Sequence, residues 1–596
     1  VQKTLIAFDV DRIKDYVFAT DKLNEIRGAS ALLDRLNRES MRTVAAEQFS
    51  STHIITIYTN GGQGLFLVMG DDATTHTFGK AVKKAFAATT YDGASVTYVT
   101  QPLPDDLPDD ANLIRQTDLS KYFELIQVKI QLKKASPPAT QTLISHPLMQ
   151  VCAACGLRYA EKQDQSVLSA TEIRLCCSSC SEKQEEDNRI KKNLQDDDVF
   201  TPLHKSEVLS QKLWERIIFY LQEDESTIGY PAYNFFPDES DKQAKPKRPN
   251  DFNVFRQFRQ QKEYIGLIYA DANNMGKHVT AQKTLNDYKN FAEEVDGFIH
   301  TALARAIKKH LPVKTIKASE EENSGPHFPF DIFMVGGDDI IMLTSAEQAM
   351  DVANTIAQEF RKVANNEYSL SIGIVLAPIK YPFGQLLGLV EQELKNAKKA
   401  SATVRQRQAG GKQGIAEDDS RLSFTVVTGG MQVNAESPYY RKRKGAGKEG
   451  DLEFFATLRP YAPAQLQKLL QTIREGEKLN LGRTKLHQLR EAIIKMNHTT
   501  SLIDGMAVLH NWKPQQREFI INYLCKCSLD GAYNDLQQRA TASDGKYLSS
   551  IYFPWFMTKQ DQHTIYRTSL LDLVELYDFV ANEESDTGNN LKKGEQ

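Results

Sequence analysis

The stretch Ile332-Phe333-Met334-Val335-Gly336-Gly337-Asp338-Asp339-Ile340-Ile341-Met342-Leu343 sets two glycines and two aspartates between two apolar runs. Apolar runs flanking a Gly-rich tight turn read as a buried β-hairpin. Upstream, Tyr264-Ile265-Gly266-Leu267-Ile268-Tyr269-Ala270-Asp271 reads as a strand that closes on an acid and runs into a helix. Downstream, a helical run covers Ser345 to Val363 and another strand covers Ser369 to Leu376, ahead of Pro378. The order is strand, helix, hairpin, helix, strand.

That order also occurs near the start of the chain. Thr4 to Ala7 with Phe8-Asp9 is a strand followed by a helical stretch through Asp34-Arg35-Leu36. His53 to Thr59, Asn60-Gly61-Gly62-Gln63-Gly64 and Leu65-Phe66-Leu67-Val68-Met69 form a second hairpin; a helical run around Phe78 to Ala88 and a strand from Ala94 to Thr100, ahead of Pro102, complete the unit. Two copies of one ferredoxin-like or palm unit, an antiparallel sheet with helices on one face, account for the pattern, and the fold class is α+β. At the turn the first copy reads Gly61-Gly62-Gln63-Gly64 where the second reads Gly336-Gly337-Asp338-Asp339. Lacking the acids, the first turn cannot clamp a divalent cation, which needs several hard oxygen ligands, so the first copy reads as structural.

In the second copy the topology brings Asp271, Asp338 and Asp339 to one sheet edge. Three carboxylates so placed suit Mg²⁺ or Mn²⁺ and two-metal phosphoryl or nucleotidyl transfer. Gly336 and Gly337 let a nucleotide approach the backbone. Ala272-Asn273-Asn274-Met275-Gly276 opens a helix whose free N–H groups suit a triphosphate. Lys398, late in the helix after the last strand, is positioned to pair with the β and γ phosphates, with Lys395 and Lys399 as alternatives. Read alone, Gly-Gly-Asp-Asp is also an ordinary turn and the lysines an ordinary solvated face; the strand-end Asp271 in the same unit favours the chemical reading.

Between the copies, Cys152-Ala153-Ala154-Cys155 and Cys177-Ser178-Ser179-Cys180 are two CxxC pairs roughly twenty residues apart, the spacing of a structural four-thiolate Zn²⁺ site. Cys176 offers an alternative register for Cys177; Cys525 and Cys527 read as ordinary thiols. Glu182 to Asp198 is rich in Gln, Asp, Glu and Lys and reads as a solvated, flexible connection, and Asp238 to Asn250 as the polar approach to the second unit. Neither Gly410-Gly411-Lys412-Gln413-Gly414 nor Arg441-Lys442-Arg443-Lys444-Gly445 fits a phosphate loop. From Leu452 to Ala581 the spacing is helical, as in Leu466, Leu469, Leu470 and Ile473 and in Leu570, Leu573, Val574 and Tyr577, and the tail beyond is polar. The expected division is a first palm over 1–130, a zinc-binding region over 131–200, a helical linker over 201–255, the metal-binding palm over 256–425 and a mostly helical C-terminal domain over 426–596.

At 596 residues, several domains are expected. With 25% charged and 41% hydrophobic residues and a net charge of −4, wholesale disorder is excluded, while a local basic stripe for nucleic acid is not. No apolar run is long enough to span a bilayer and no signal peptide is apparent, so a cytoplasmic chain without membrane contact is expected.

Taken in order, the two palms, the degenerate first turn, the CxxC pairs, Asp271 with Met275-Gly276, and Gly336-Gly337-Asp338-Asp339 make the chain resemble the large subunit of type III CRISPR effector complexes, the polymerase/cyclase family, and more distantly the GGDEF diguanylate cyclases. The resemblance implies synthesis of cyclic oligoadenylates from ATP on sensing target RNA, with the product activating antiviral effectors. It implies guide RNA, target RNA and further CRISPR subunits as partners, and carries the metal positions onto Asp271, Asp338 and Asp339. The family often has Gly and a further acid where this chain has Ala272 and Asn273. Many members begin with an HD nuclease domain; here no His-Asp dipeptide occurs and the first palm starts almost at residue 1, so no DNase activity is expected. Linear products, or a conjugate with S-adenosylmethionine, a stand-alone signal synthase, a GTP-using cyclase and a non-catalytic RNA-binding scaffold are the alternatives.

Overall fold

The computed structural model describes residues 2–135, 149–163, 174–194, 212–236, 245–258, 263–316, 324–409, 418–427, 443–444, 452–455, 457–479, 481–494, 507–517, 519, 556–560, 563–567 and 569–580. Gly410–Gly414, Cys525, Cys527, the end of the Glu182–Asp198 stretch, part of Asp238–Asn250, most of Arg441–Gly445 and the polar tail lie outside the described residues.

The first unit consists of β1 (Lys3–Asp11), α1 (Leu23–Arg35), β2 (Ile54–Asn60), β3 (Gln63–Met69), α2 (Asp72–Thr90) and β4 (Ser95–Pro102). Its antiparallel sheet has the order β2-β3-β1-β4. Alternation along β1 sends Ile6, Phe8 and Val10 to one core and Leu5 and Ala7 to another. Against the second face lies α3 (Ser120–Ala135), through Phe123, Ile126 and Ile130; it runs through the boundary expected at residue 130.

Next comes α4 (Ser178–Asn193), which corrects the reading of Glu182 onward as a solvated connection. Lys183, Gln184, Glu186 and Asp187 are buried against α1. Gly28 permits this approach, since a Cβ there would fall 1.7 Å from the Lys183 carbonyl oxygen. Each polar group finds a partner: Lys183 Nζ donates to the Tyr16 carbonyl at 2.6 Å, Gln184 to Glu25 at 2.9 Å, and Arg27 pairs with Asp187 at 3.0 Å. Composition reports charge, but only the partner helix shows that the charge is satisfied inside.

The second unit is built from β5 (Tyr264–Ala272), α5 (Leu285–His310), β6 (Phe330–Gly336), β7 (Asp339–Ser345), α6 (Ala346–Val363) and β8 (Leu370–Pro378), followed by α7 (Phe383–Ala409) and β9 (Arg421–Val426). A reciprocal capping box of Thr284 and Asp287 starts α5, and Lys308, Lys309 and His310 close it where the helix dipole favours cations. The sheet order is β6-β7-β5-β8-β9. Its first four strands repeat the order of the first unit, and β9 adds a parallel edge. The repeat includes an irregularity in each hairpin at the same offset from the turn, between Thr56 and Tyr58 and between Ile332 and Met334. Both faces are covered, with Ile268, Ala270 and Ala272 in one core and Ile265, Leu267 and Tyr269, together with Leu386, Val390 and Leu394 of α7, in the other. This replaces the expected one-sided layer.

The units meet reciprocally: α1 lies against β6, and α5 lies against β2. Beyond the second unit, the helices Pro463–Lys478 and Leu570–Leu576 carry the expected apolar faces, and Leu466, Leu469, Leu470, Ile473, Leu573 and Tyr577 join the second unit's core. The C-terminal region is not helical throughout. Leu452–Phe455, Phe556–Gln560 and His563–Arg567 pair in one sheet with Arg443–Lys444. Strands paired across a hundred residues leave no local periodicity to read.

Candidate active site

Register puts the acids together. Asp271, next to last in β5, stands opposite Asp339, the first residue of β7, and the Ala272 N–H donates to the Asp338 carbonyl at 3.1 Å. The tight turn requires Gly337, whose φ is +62°. Alternation places Asp271 on the face of Tyr269, toward the first unit.

Burial raises the Asp339 carboxyl well above the usual range, and the charges of Asp271 and Asp338 and a hydrogen bond with Asp271 raise it further. Asp338 is pushed up to about 6, first by burial and then by the Asp271 charge. Lys398 Nζ sits 2.5 Å from Asp271, while Lys395 and Lys399 point to solvent. The residues fit a divalent cation: Asp339 Oδ1 is buried with no hydrogen-bond partner, and a hard cation is what would compensate the crowded carboxyls. The three acids are not drawn as close as the thiols; among the described residues, only the four cysteines converge within 4.8 Å.

The nucleotide-binding expectations separate. Gly336 and Gly337 lie at the turn, and a Cβ on Gly276 would meet nothing within 4 Å. Ala272 and Met275 are buried, and the helix Met275–Thr280 is one and a half turns, entered through Asn274 at φ +65°. Asn273 is a correction. Its N–H donates to the Ser369 carbonyl at 2.9 Å, its Nδ2 to Ser369 Oγ at 2.9 Å, and its Oδ1 accepts from Ser371 at 2.6 Å. Buried, with its backbone N–H already donated, it fixes the end of β5 to β8 and leaves no free backbone N–H for a phosphate.

Sequence reasoning missed Lys14. It pairs with Glu391 at 3.2 Å, lies 4.5 Å from the Tyr269 ring centroid and acts on the Asp339 carboxyl from the first unit. Burial, then the neighbouring Asp339 and Asp271 charges, hold the Tyr269 hydroxyl protonated. The hairpin turns also align one residue away from the sequence reading. Asn60 pairs with Gln63 as Gly336 pairs with Asp339, so Asn60-Gly61-Gly62-Gln63 is the counterpart of the acidic turn.

Cys152, Cys155, Cys177 and Cys180 form the converged group; Cys176 lies outside it, with its backbone paired to Lys162. Cys155 is held low by hydrogen bonds from the Cys177 and Cys180 thiols, which in turn are raised. Four thiols converging at one end of α4 suit tetrahedral Zn²⁺ with no open position.

Residues 264–408 match the family model of the Cas10/Cmr2 second palm domain. Over that segment the chain is similar to Cas10/Cmr2 palm domains. Beyond this palm, the fold resembles Csm1 over nearly the whole chain. Csm1 of T. onnurineus aligns with a TM-score of 0.51 at 12% identity over 97% of this chain and 70% of that one. A Csm1-Csm4 cassette in complex with pppApApA gives 0.51 at 11% identity over 98% and 69%, and one in complex with cA4 gives 0.50 at 12% identity over 98% and 70%. No curated protein matches the sequence. The resemblance to the large subunit of type III CRISPR effectors is borne out in the palm and the overall fold. Among the described residues, no helix is long and apolar enough to cross a membrane.

Proposed function

We propose that the chain is a nucleotidyltransferase that joins ATP into a cyclic oligoadenylate signal in antiviral defence, as the target-RNA-activated large subunit of a type III CRISPR complex. The observation that carries this reading is the pairing of Asp271 with Asp339 beside the Asp338 turn, with a buried Asp339 oxygen left without a partner. The oligoadenylates in complex with the similar Csm1-Csm4 cassettes support adenine nucleotides as substrate and a Csm4-like subunit as partner.

Asp271, Asp338 and Asp339 would hold Mg²⁺ or Mn²⁺. Bound there, the cation supplies Lewis acidity toward the attacked phosphate and neutralises charge on its oxygens. Lys398 serves the same charge balance from α7, where it pairs with Asp271 at 2.5 Å and can give that contact up for a phosphate of ATP. Gly336 and Gly337 leave the turn's backbone accessible. The first unit, a degenerate palm, braces this site, and Cys152, Cys155, Cys177 and Cys180 hold structural Zn²⁺. We propose the same five-part division with the first palm extended to the end of α3 at Ala135.

Incubation of the full chain with labelled ATP and Mg²⁺ or Mn²⁺, with and without guide and target RNA, followed by mass spectrometry, tests the reading. Ring-closed adenylates are expected. A conjugate with S-adenosylmethionine or a guanylate product changes the substrate class, and inertness in every condition leaves the scaffold reading.

A further inference from the structure

The turn that carries Asp338 and Asp339 leans on the turn that has lost them. A Cβ on Gly61 would lie 3.2 Å from Gly337 Cα, so the two tips touch backbone to backbone. Across this contact the Gly337 N–H donates to Asn60 Oδ1 at 3.3 Å. At the matching position the second unit has Gly336, where an added Cβ would stand 3.5 Å from the same oxygen. One tip supplies the side-chain amide and the other the backbone N–H that meets it.

Asn60 is held from behind. Its Nδ2 donates to Asp296 Oδ1 at 2.8 Å, and its Oδ1 accepts from Arg38 at 2.6 Å. Arg38 also donates to Asp296 and to Asp34, both at 3.0 Å, and Arg216 pairs with Asp34 at 3.0 Å. The donors and acceptors around Asn60 leave one orientation of its amide. Arg38 belongs to a π-helical segment, Leu36–Ser40, a widening of the helix that recurs at functional sites. From that same segment Asn37 accepts from the Gly62 N–H at 3.1 Å and donates to the Gln63 carbonyl at 2.8 Å, so the whole first tip is immobilised.

We infer that Asn60 is a positioning residue for the proposed active turn. Clamped by Asp296 and Arg38, it fixes the Gly337 peptide and thereby sets where the Asp338 and Asp339 carboxylates stand. This rests on the nucleotidyltransferase reading. The acid-free turn then has a function of its own, as the rigid surface against which the acidic turn is set.

The test uses the full chain with ATP and Mn²⁺, with and without guide and target RNA. Asn60→Ala is expected to lower kcat by about tenfold or more, the size of loss a slight misplacement of reacting groups brings, while KM for ATP moves little. Zinc content stays at the parental value, the melting temperature falls by only a few degrees as the lost hydrogen bond to Asp296 requires, and deuterium exchange across residues 330–343 speeds up. Asn60→Asp sets a carboxylate against Asp296 and should be as damaging; adding Asp296→Asn restores a donor–acceptor pair and most of the turnover. An active parent whose Asn60→Ala variant keeps both the parental kcat and the parental exchange overturns the inference, as does a folded Asn60→Asp, Asp296→Asn double variant with no recovery. A parent inert toward ATP overturns the nucleotidyltransferase reading and the catalytic role of Asn60 with it, and the exchange measurement then reports separately whether the contact exists.

Discussion

The two units carry the same pair of side chains in the same place. In the first, Asp9 stands opposite Gln63 and Lys134 of α3 reaches it at 2.8 Å; in the second, Asp271 stands opposite Asp339 and Lys398 of α7 reaches it at 2.5 Å. Strand acid and helix lysine are therefore common to both sheets and cannot by themselves be what sets the second apart. The difference lies at the turn, where Gly62 and Gln63 replace Asp338 and Asp339. In the first unit Lys134 meets Asp9 at 2.8 Å and, less closely, Asp11 at 3.8 Å, and the turn adds no acid to them. In the second, three acids share that lysine, and the excess negative charge calls for a cation.

The strongest way to break this comparison is to remove the excess. Asp338→Ala combined with Asp339→Ala should bring adenylate synthesis to background by product mass spectrometry, with zinc content and circular dichroism unchanged. Next, the two lysines should part company. Lys398→Ala is expected to cost about tenfold in turnover, as expected for losing a charged hydrogen-bonding group, and Lys134→Ala to leave turnover within about twofold.

Third, Gly61→Ala should destabilise the chain by about 1 kcal/mol in chemical denaturation, because φ is +58° there and the new Cβ presses on Gly337. Turnover should fall with it, whereas Gly276→Ala, in open space, should leave stability near the parental value.

The smallest effect concerns pH without metal. A carboxyl whose pKa is raised on folding lends stability in acid that is lost as pH climbs through the folded value, here about 6 for Asp338. In EDTA, Asp338→Asn should therefore melt about 2 °C or more above the parent at pH 8, with the gap closing near pH 4. Gln63 is neutral already, so Gln63→Asn should show no such pH-dependent gap.

Much of the second unit was legible because its signals are local. Strand runs and the Gly-Gly-Asp-Asp turn are set by neighbours in sequence, as is the CxxC spacing that precedes the unit. What stayed hidden depends on partners far along the chain. Asn273 looked like phosphate-binding backbone until Ser369 and Ser371 claimed it, and Glu186 and Asp187 looked solvated until α1 supplied Arg35 and Arg27. Lys398 was one lysine of three until the helix phase directed it alone to Asp271.

The amino-acid order by itself determined that two similar sheets exist, that only the later one bears acids at its turn, and that two CxxC pairs form a thiol set, with Cys177 preferred to Cys176 by spacing alone. Only the tertiary structure decided that Asn60 aligns with Gly336, that the two tips touch, and that buried arginines bind α1, α4, α5 and β6 into one body. The reason is physical. Strand and turn propensities act over a few residues, whereas the worth of a charge or an amide depends on what faces it after folding, and that partner can lie hundreds of residues away.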